Sequence, residues 1–364
     1  MKISVAMATF NGERFLAEQL ASLTSQTRLP DELVVTDDNS SDHTVEILEN
    51  FARSATFSVK ILRHSANLGF RETYYRSIAE SCGDWIAFCD QDDVWLPTKL
   101  SIIEDTIRRS DPSVALIAHS AVVVDEALKP SGISWPRYRR RVVLEGRRLP
   151  IWWNCPGFSL AFRRDLVPLI REMSFAKLAA RGASLSEQSS HDIWTATVAQ
   201  SVGKIALLPD PLVMYRRHAR STSEVARAGS TDAVGIRRSR RLVFRARHAF
   251  DADRDDVYEI RARVAKMHAN IFNAFNDSTV HPQWQRRLLE AELRYRGYAN
   301  WMERRYALRR EGRLQYRAWR LASLALSFSY IRYCGLTAIG FPLILRELMV
   351  DLFATFGRRC RAPH

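Results

Sequence analysis

At 364 residues, with 46% hydrophobic and 26% charged positions, the chain suits one domain of roughly 200–250 residues plus an appendage, and its composition excludes a disordered protein. Five scattered cysteines, Cys82, Cys89, Cys155, Cys334 and Cys360, form no CxxC pair, and Met1 runs straight into an apolar strand pattern; zinc and redox chemistry are thereby disfavoured, and a chain without a signal peptide in a reducing cytoplasm is expected. The net charge of +14 is lopsided, because residues 228–364 carry 26 Lys plus Arg against 13 Asp plus Glu, which predicts an anionic partner for that region.

In chain order, ISVAMATF at 3–10 reads as a buried strand that stops in a loop, and GERFLAEQLASLTSQ places Phe15, Leu16, Leu20 and Leu23 on one helical face. DELVVTDDNSSDHT is a second strand stopping at Asp37 and Asp38, and TVEILENFA a second helix. VKILRH, FRETYYRSIAESC and DWIAFCD follow as strand, helix and strand. Strands alternating with helices at this spacing predict a parallel α/β sheet. Ligands in such sheets bind at the carboxyl ends of the strands. Thr9 with Asn11, Asp37 with Asp38, Asn67 with Gly69, and Asp90 to Asp93 all follow strand ends, so they are expected to converge on one crevice.

The last of these clusters, in DWIAFCDQDDVW at 84–95, puts Asp90, Asp92 and Asp93 within four positions. Crowded carboxylates repel and raise one another's pKa unless a cation neutralises them. A calcium EF-hand is excluded, since the Gly at position six and the Glu at position twelve of that loop are missing after Asp90. DQDDV also satisfies the DxDx(T/V) pattern of haloacid-dehalogenase-type phosphatases, although that motif opens its domain and three strand-helix units precede it here. The third chemistry is metal-assisted transfer from a nucleotide-sugar, in which a hard divalent cation balances two phosphates.

In VAMATFNGERFLAEQLASLTSQT, ELVVTDDNSSDHT, NLGF, GDWIAFCDQDDVWLPTKL, SHDIW and LPDPLVMYRRH, in that order over about residues 1–225, the sequence resembles the GT-A-fold glycosyltransferases of family 2, notably the bacterial rhamnosyltransferase-like branch. The resemblance implies a Rossmann-like, mixed but mainly parallel sheet in a catalytic domain over residues 1–227. It implies that Thr9, Phe10 and Asn11 lie against the nucleotide and that Asp38 meets the base edge, with Asn67 in the same crevice. In the DxD signature Asp92 becomes the direct ligand of Mn2+ or Mg2+, and Asp90 assists or contacts the ribose. SHDIW carries the family's base, which places it at Asp192 and implies inversion by single displacement. PGFSLAFRRDL lines the donor-sugar and acceptor pocket at Gly157, and His218 helps hold the metal or the diphosphate. Arg216 and Arg217 suit phosphate by charge, Trp152 and Trp153 suit either sugar stacking or the core, Asp42 suits a helix cap, and Asp93 either supports the metal or caps the helix beginning near Leu96.

Residues 228–364 read as a basic α-helical extension. IRRSRRLVFRARHAF at 236–250 and the Arg-, Tyr- and Trp-rich stretch at 293–326 suit an anionic membrane surface better than nucleic acid in this family context. YCGLTAIGFPLIL at 333–345 is too short and too broken by Gly335, Gly340 and Pro342 to span a bilayer, so peripheral association at the inner face of the cell membrane is expected. The resulting expectation is an inverting, metal-dependent glycosyltransferase that moves a sugar from a nucleotide-sugar, with rhamnose favoured, to a lipid-linked or saccharide acceptor. The alternatives are a non-catalytic nucleotide-binding adaptor and the DxDxV-type phosphatase.

Overall fold

The computed structural model describes residues 1–151, 153, 155–180, 189–218, 256–276, 282–310, 314–326, 348 and 351–352. The chain divides into two compact units, Met1–Gly146 with Trp153–Ala226, and Arg147–Trp152 with Arg227–His364.

The first unit is built on a sheet of ten strands. β1 (Ile3–Thr9) lies between β2 (Glu32–Asp37) and β4 (Trp85–Asp90), parallel to both, and β3 (Ser58–Arg63) extends the parallel run beyond β2. Every residue of β1 except Ala8 is buried, as befits a parallel strand covered on both faces. β3 at the edge is exposed or half-buried throughout. Helix α1 (Leu16–Thr24) buries Leu16, Leu20 and Leu23, the face anticipated from their spacing. Truncating Leu20, 1% exposed, to Ala removes a core anchor at a cost of about 2–5 kcal/mol.

Beyond β4 the sheet becomes mixed. β9 (Leu160–Arg163) runs antiparallel between β4 and β6 (Val114–Val124), β6 pairs in parallel with β10 (Lys204–Arg216), and β10 pairs antiparallel with the short β5 (Val94–Trp95). β7 (Pro130–Ser134) and β8 (Val142–Glu145) add to β6 and β10. The segment from Lys204 to Arg216 is one 13-residue strand, β10. Two of its three register shifts against β6 fall on either side of Pro211, where bulges accommodate a residue with no N–H to donate.

Topology fixes where a ligand can sit. From β1 the chain builds outward through β2 and β3, then returns to β4 on β1's other side. The switch point lies between the carboxyl ends of β1 and β4, where such sheets bind ligands.

The second unit, among the described residues, is helical, with Asp256–Asn276, Gln285–Arg310 and Leu314–Leu326. Part of its basic charge is internal. Arg305 is fully buried, holds both oxygens of buried Asp351 at 2.7 and 2.8 Å, and lies over the rings of Tyr258 and Trp301. Arg294 donates to the Leu149 carbonyl and Tyr295 to that of Ile151. Other side chains face outward, Trp319 at 66% and Tyr316 at 47% exposure. No described helix is long and apolar enough to cross a membrane. The stretches 236–250 and 333–345 lie outside the described residues.

Candidate active site

At the switch point, Ala8 pairs with Asp90, so the residues after Thr9 and after Asp90 meet. Gln91 ties them: its amide oxygen accepts from the Phe10 N–H at 2.9 Å and its amide nitrogen donates to the Phe10 carbonyl at 3.1 Å. Asn11, at φ 45°, accepts from the Ser41 N–H at 3.0 Å, while its own N–H donates to Ser40 Oγ. The Phe10 ring is 44% exposed at the rim.

The acidic end of β2 is saturated with donors. Buried Asp37 accepts from Thr9 Oγ1 at 3.0 Å and from the Ser40 N–H at 2.8 Å, with Arg63 at 3.7 Å. Asp38, equally buried, accepts from the Leu68 and Gly69 N–H groups, both at 2.8 Å. It thereby sets the loop of exposed Asn67 and of Gly69, whose φ of 87° suits glycine. Asp42 accepts from the N–H groups of Thr44, the first residue of α2 (Thr44–Ser54), and of Glu13, and so ties the start of that helix to the first loop; the N-cap position itself is His43.

The end of β4 differs. Carboxylate oxygens of Asp90, Asp92 and Asp93 lie within 4.8 Å of one another. Asp90 accepts from the hydroxyl of Tyr74, which also donates to the Cys89 carbonyl at 2.9 Å. Asp92 Oδ2 meets His218 Nε2 at 2.8 Å, and the His218 ring packs on Phe15 at 5.0 Å. Asp93 is fully buried. One oxygen accepts from the Arg216 N–H at 2.9 Å and the other has no partner. Burial and the neighbouring carboxylates push Asp90 up to about 7 and Asp93 well above the usual carboxylate range. A set of hard oxygens plus an imidazole, one oxygen buried and unmatched, fits a divalent cation of the Mn2+ or Mg2+ kind.

Two assignments change. Asp93 is not a helix cap: Thr98 precedes α4 (Lys99–Arg109), and the Asp93 carboxylate ties β10 to the acidic loop instead. Arg216 does not face a phosphate, because its guanidinium donates to the Asp92 and Glu126 carbonyls and to Glu18, under the Phe15 ring. Trp153, 6% exposed, belongs to the core, while Trp152 lies outside the described residues.

Asp192 stands in the first turn of α7 (His191–Val202), after Ser190. Its Oδ1 accepts from Ser190 and from the Ile193 N–H. Gly157, in a single 3-10 turn, abuts this helix start: a Cβ there would come within 2.9 Å of His191 Nε2 and 3.7 Å of Asp192 Cβ. His191 in turn stacks on Tyr74 at 3.9 Å. Tyr74 and His191 thus link the Gly157 turn and the start of α7, with Asp192, to Asp90 in the acidic loop, whose Asp92 meets His218.

Sequence reasoning passed over Tyr74, His191, Gln91 and Lys99. Lys99 is fully buried, donates to the Phe158 carbonyl at 2.7 Å, lies 3.6 Å from the Trp95 ring centroid, and is pulled down to about 7 by burial. Its position one turn past the acidic loop was the available signal.

Residues 4–168 match glycosyl transferase family 2. An uncharacterized glycosyltransferase of Nostoc sp. is 28% identical over 173 residues, 46% of this chain and 52% of that protein. The dTDP-rhamnosyl transferase RfbG of Shigella flexneri is 36% identical over 98 residues, 26% of this chain and 34% of that protein. The chain spans about half the length of the curated relative matched from Nostoc. Among solved structures, S. aureus TarS 1-349 in complex with UDP aligns with 99% of this chain and 93% of that chain at a TM-score of 0.52 and 16% identity, a likeness of fold.

Proposed function

We propose, from the match of residues 4–168 to glycosyl transferase family 2, that the chain is an inverting, metal-dependent glycosyltransferase that uses a nucleotide-sugar donor. One observation supports the reading: the under-satisfied carboxylate cluster at the β4 end, with His218 on Asp92, is linked through Tyr74 and His191 to the start of the helix that carries Asp192.

The attacking sugar hydroxyl ionises far above neutrality, so a base must take its proton as the new bond forms. Asp192 Oδ2 takes it. Asp92 and Asp90 would hold the cation, with His218 beside Asp92; when bound, it balances the diphosphate charge and stabilises the departing nucleoside diphosphate. Thr9, Phe10 and Asn11 position the nucleotide beside Asp38 and Asn67, and Gly157 permits close approach of the sugar. With one base and a single displacement, configuration inverts.

The rhamnosyltransferase-like motifs and the likeness to RfbG favour dTDP-rhamnose as donor. A lipid-linked saccharide at the inner face of the cell membrane is the proposed acceptor, supported by the basic charge of residues 228–364 and the outward Trp319 and Tyr316. A coupled assay for nucleoside diphosphate release, run over a donor panel with Mn2+ or Mg2+ and a lipid-linked acceptor extract, tests it. Turnover of one donor that is abolished by chelation is expected; full activity in Asp192→Asn, or no turnover of any donor, overturns it.

A further inference from the structure

His191 is 6% exposed, and neither ring nitrogen has a hydrogen-bond partner. Its box is aromatic on three sides: Tyr74 stacks at 3.9 Å and 18°, Phe88 meets it edge-on at 4.9 Å, and Phe70 edge-on at 5.8 Å. The backbone of Gly157 closes the side toward Nε2. An imidazole has no advantage over a phenyl ring in such a box. Leaving a buried donor and acceptor unmatched is costly, and in native proteins an unmatched pair calls for a functional explanation.

We infer that His191 reads a hydroxyl of the transferred sugar, the substrate supplying the hydrogen bond that Nδ1, the ring nitrogen not facing Gly157, lacks in the free chain. The place of the residue supports this. It precedes Asp192, touches the Gly157 turn, and stacks on the tyrosine that holds Asp90, so it lies between the leaving diphosphate and the base. Burial pulls the imidazole down to about 4; in the neutral ring Nδ1 is a donor or an acceptor according to the tautomer, and a hydroxyl can meet either. Phe70, 44% exposed, is the one wall of the box that faces solvent, and its displacement admits the sugar. The nearby Arg71, Asp192 and Glu72 are the charged groups around the box.

The inference rests on the proposed nucleotide-sugar reading, and the test separates the two. Full-length chain is titrated calorimetrically with Mn2+ and UDP-glucose, UDP-GlcNAc, GDP-mannose or dTDP-rhamnose, each against its bare nucleoside diphosphate. In the wild type one sugar adds affinity over the bare diphosphate. In His191→Phe that gain falls about tenfold, the loss of one good hydrogen bond, while diphosphate affinity holds and the melting temperature does not fall. His191→Gln, which keeps a donor and an acceptor, recovers most of the gain, and Asp192→Asn keeps it while losing transfer. An undiminished gain in His191→Phe, a lowered melting temperature in that variant, or no sugar gain in the wild type each overturns the role of His191. Failure of the wild type to bind any of the diphosphates overturns the reading of the site itself.

Discussion

The two strands that flank β1, β2 and β4, both end in clustered aspartates, and the two ends have opposite electrostatics. Asp37 and Asp38 accept from Thr9, Ser40, Leu68 and Gly69, with Arg63 near, so the protein itself answers their charge. Asp90, Asp92 and Asp93 share the Tyr74 hydroxyl, His218 and one backbone N–H, and a buried oxygen is left over. The β2 end is therefore a building device of the chain itself, whereas the β4 end is short of donors, as the proposed cation site would be. Counting donors, more than counting aspartates, tells the two apart.

The largest expected effect lies at neither end and isolates the chemistry. Asp192→Asn lowers kcat by about 10²–10⁴, the usual share of a general base, yet leaves any stabilisation by Mn2+ in thermal melts unchanged. Next, Mn2+ at about a hundredfold excess over its Kd stabilises the wild type by about 2.7 kcal/mol. Asp92→Asn removes most of that shift and the activity with it. If Asp92→Asn still gains as much from Mn2+ as the wild type, the contrast between the strand ends collapses. Asp37→Asn acts the other way: it costs about 1–3 kcal/mol of stability through its unmatched donors, measured by urea denaturation, and keeps the Mn2+ response. A larger loss of Mn2+ response than of stability there would show that the β2 end also serves the cation.

Much of the first unit was legible because its signals are local. The apolar runs of β1, β2 and β4 and the Leu16, Leu20 and Leu23 face of α1 need no distant contact to be read. The mixed half was not, since β9 becomes a strand only by inserting antiparallel between β4 and β6, and β10 passes through Pro209 and Pro211, which locally argue against a strand. At the site, DQDD and SHDIW were visible as motifs. The roles of Asp93 and Arg216 were not, because Arg216 is 123 positions beyond Asp93 and only folding brings its N–H to that carboxylate. Tyr74 and His191 were hidden for the same reason.

The smallest expected effect is a pH dependence confined to the β4 end. Burial first, then the charges of Asp92 and Asp192, raise Asp90 to about 7 in the folded chain, against about 3.9 when unfolded. Between these values the folded chain holds a proton that the unfolded chain has released. In chelator, the Asp90 contribution is therefore fully present below about pH 4, declines as pH rises, and is lost above about pH 7. A bound divalent cation favours the ionised carboxylate and so opposes that decline. Melts in chelator at a pH of about 5 and about 7.5 should show a steeper loss in the wild type than in Asp90→Asn, and saturating Mg2+ should shrink the difference. Identical slopes for the two proteins in chelator would mean that Asp90 is already matched by the chain's own donors, and the β4 end would then be no different in kind from the β2 end.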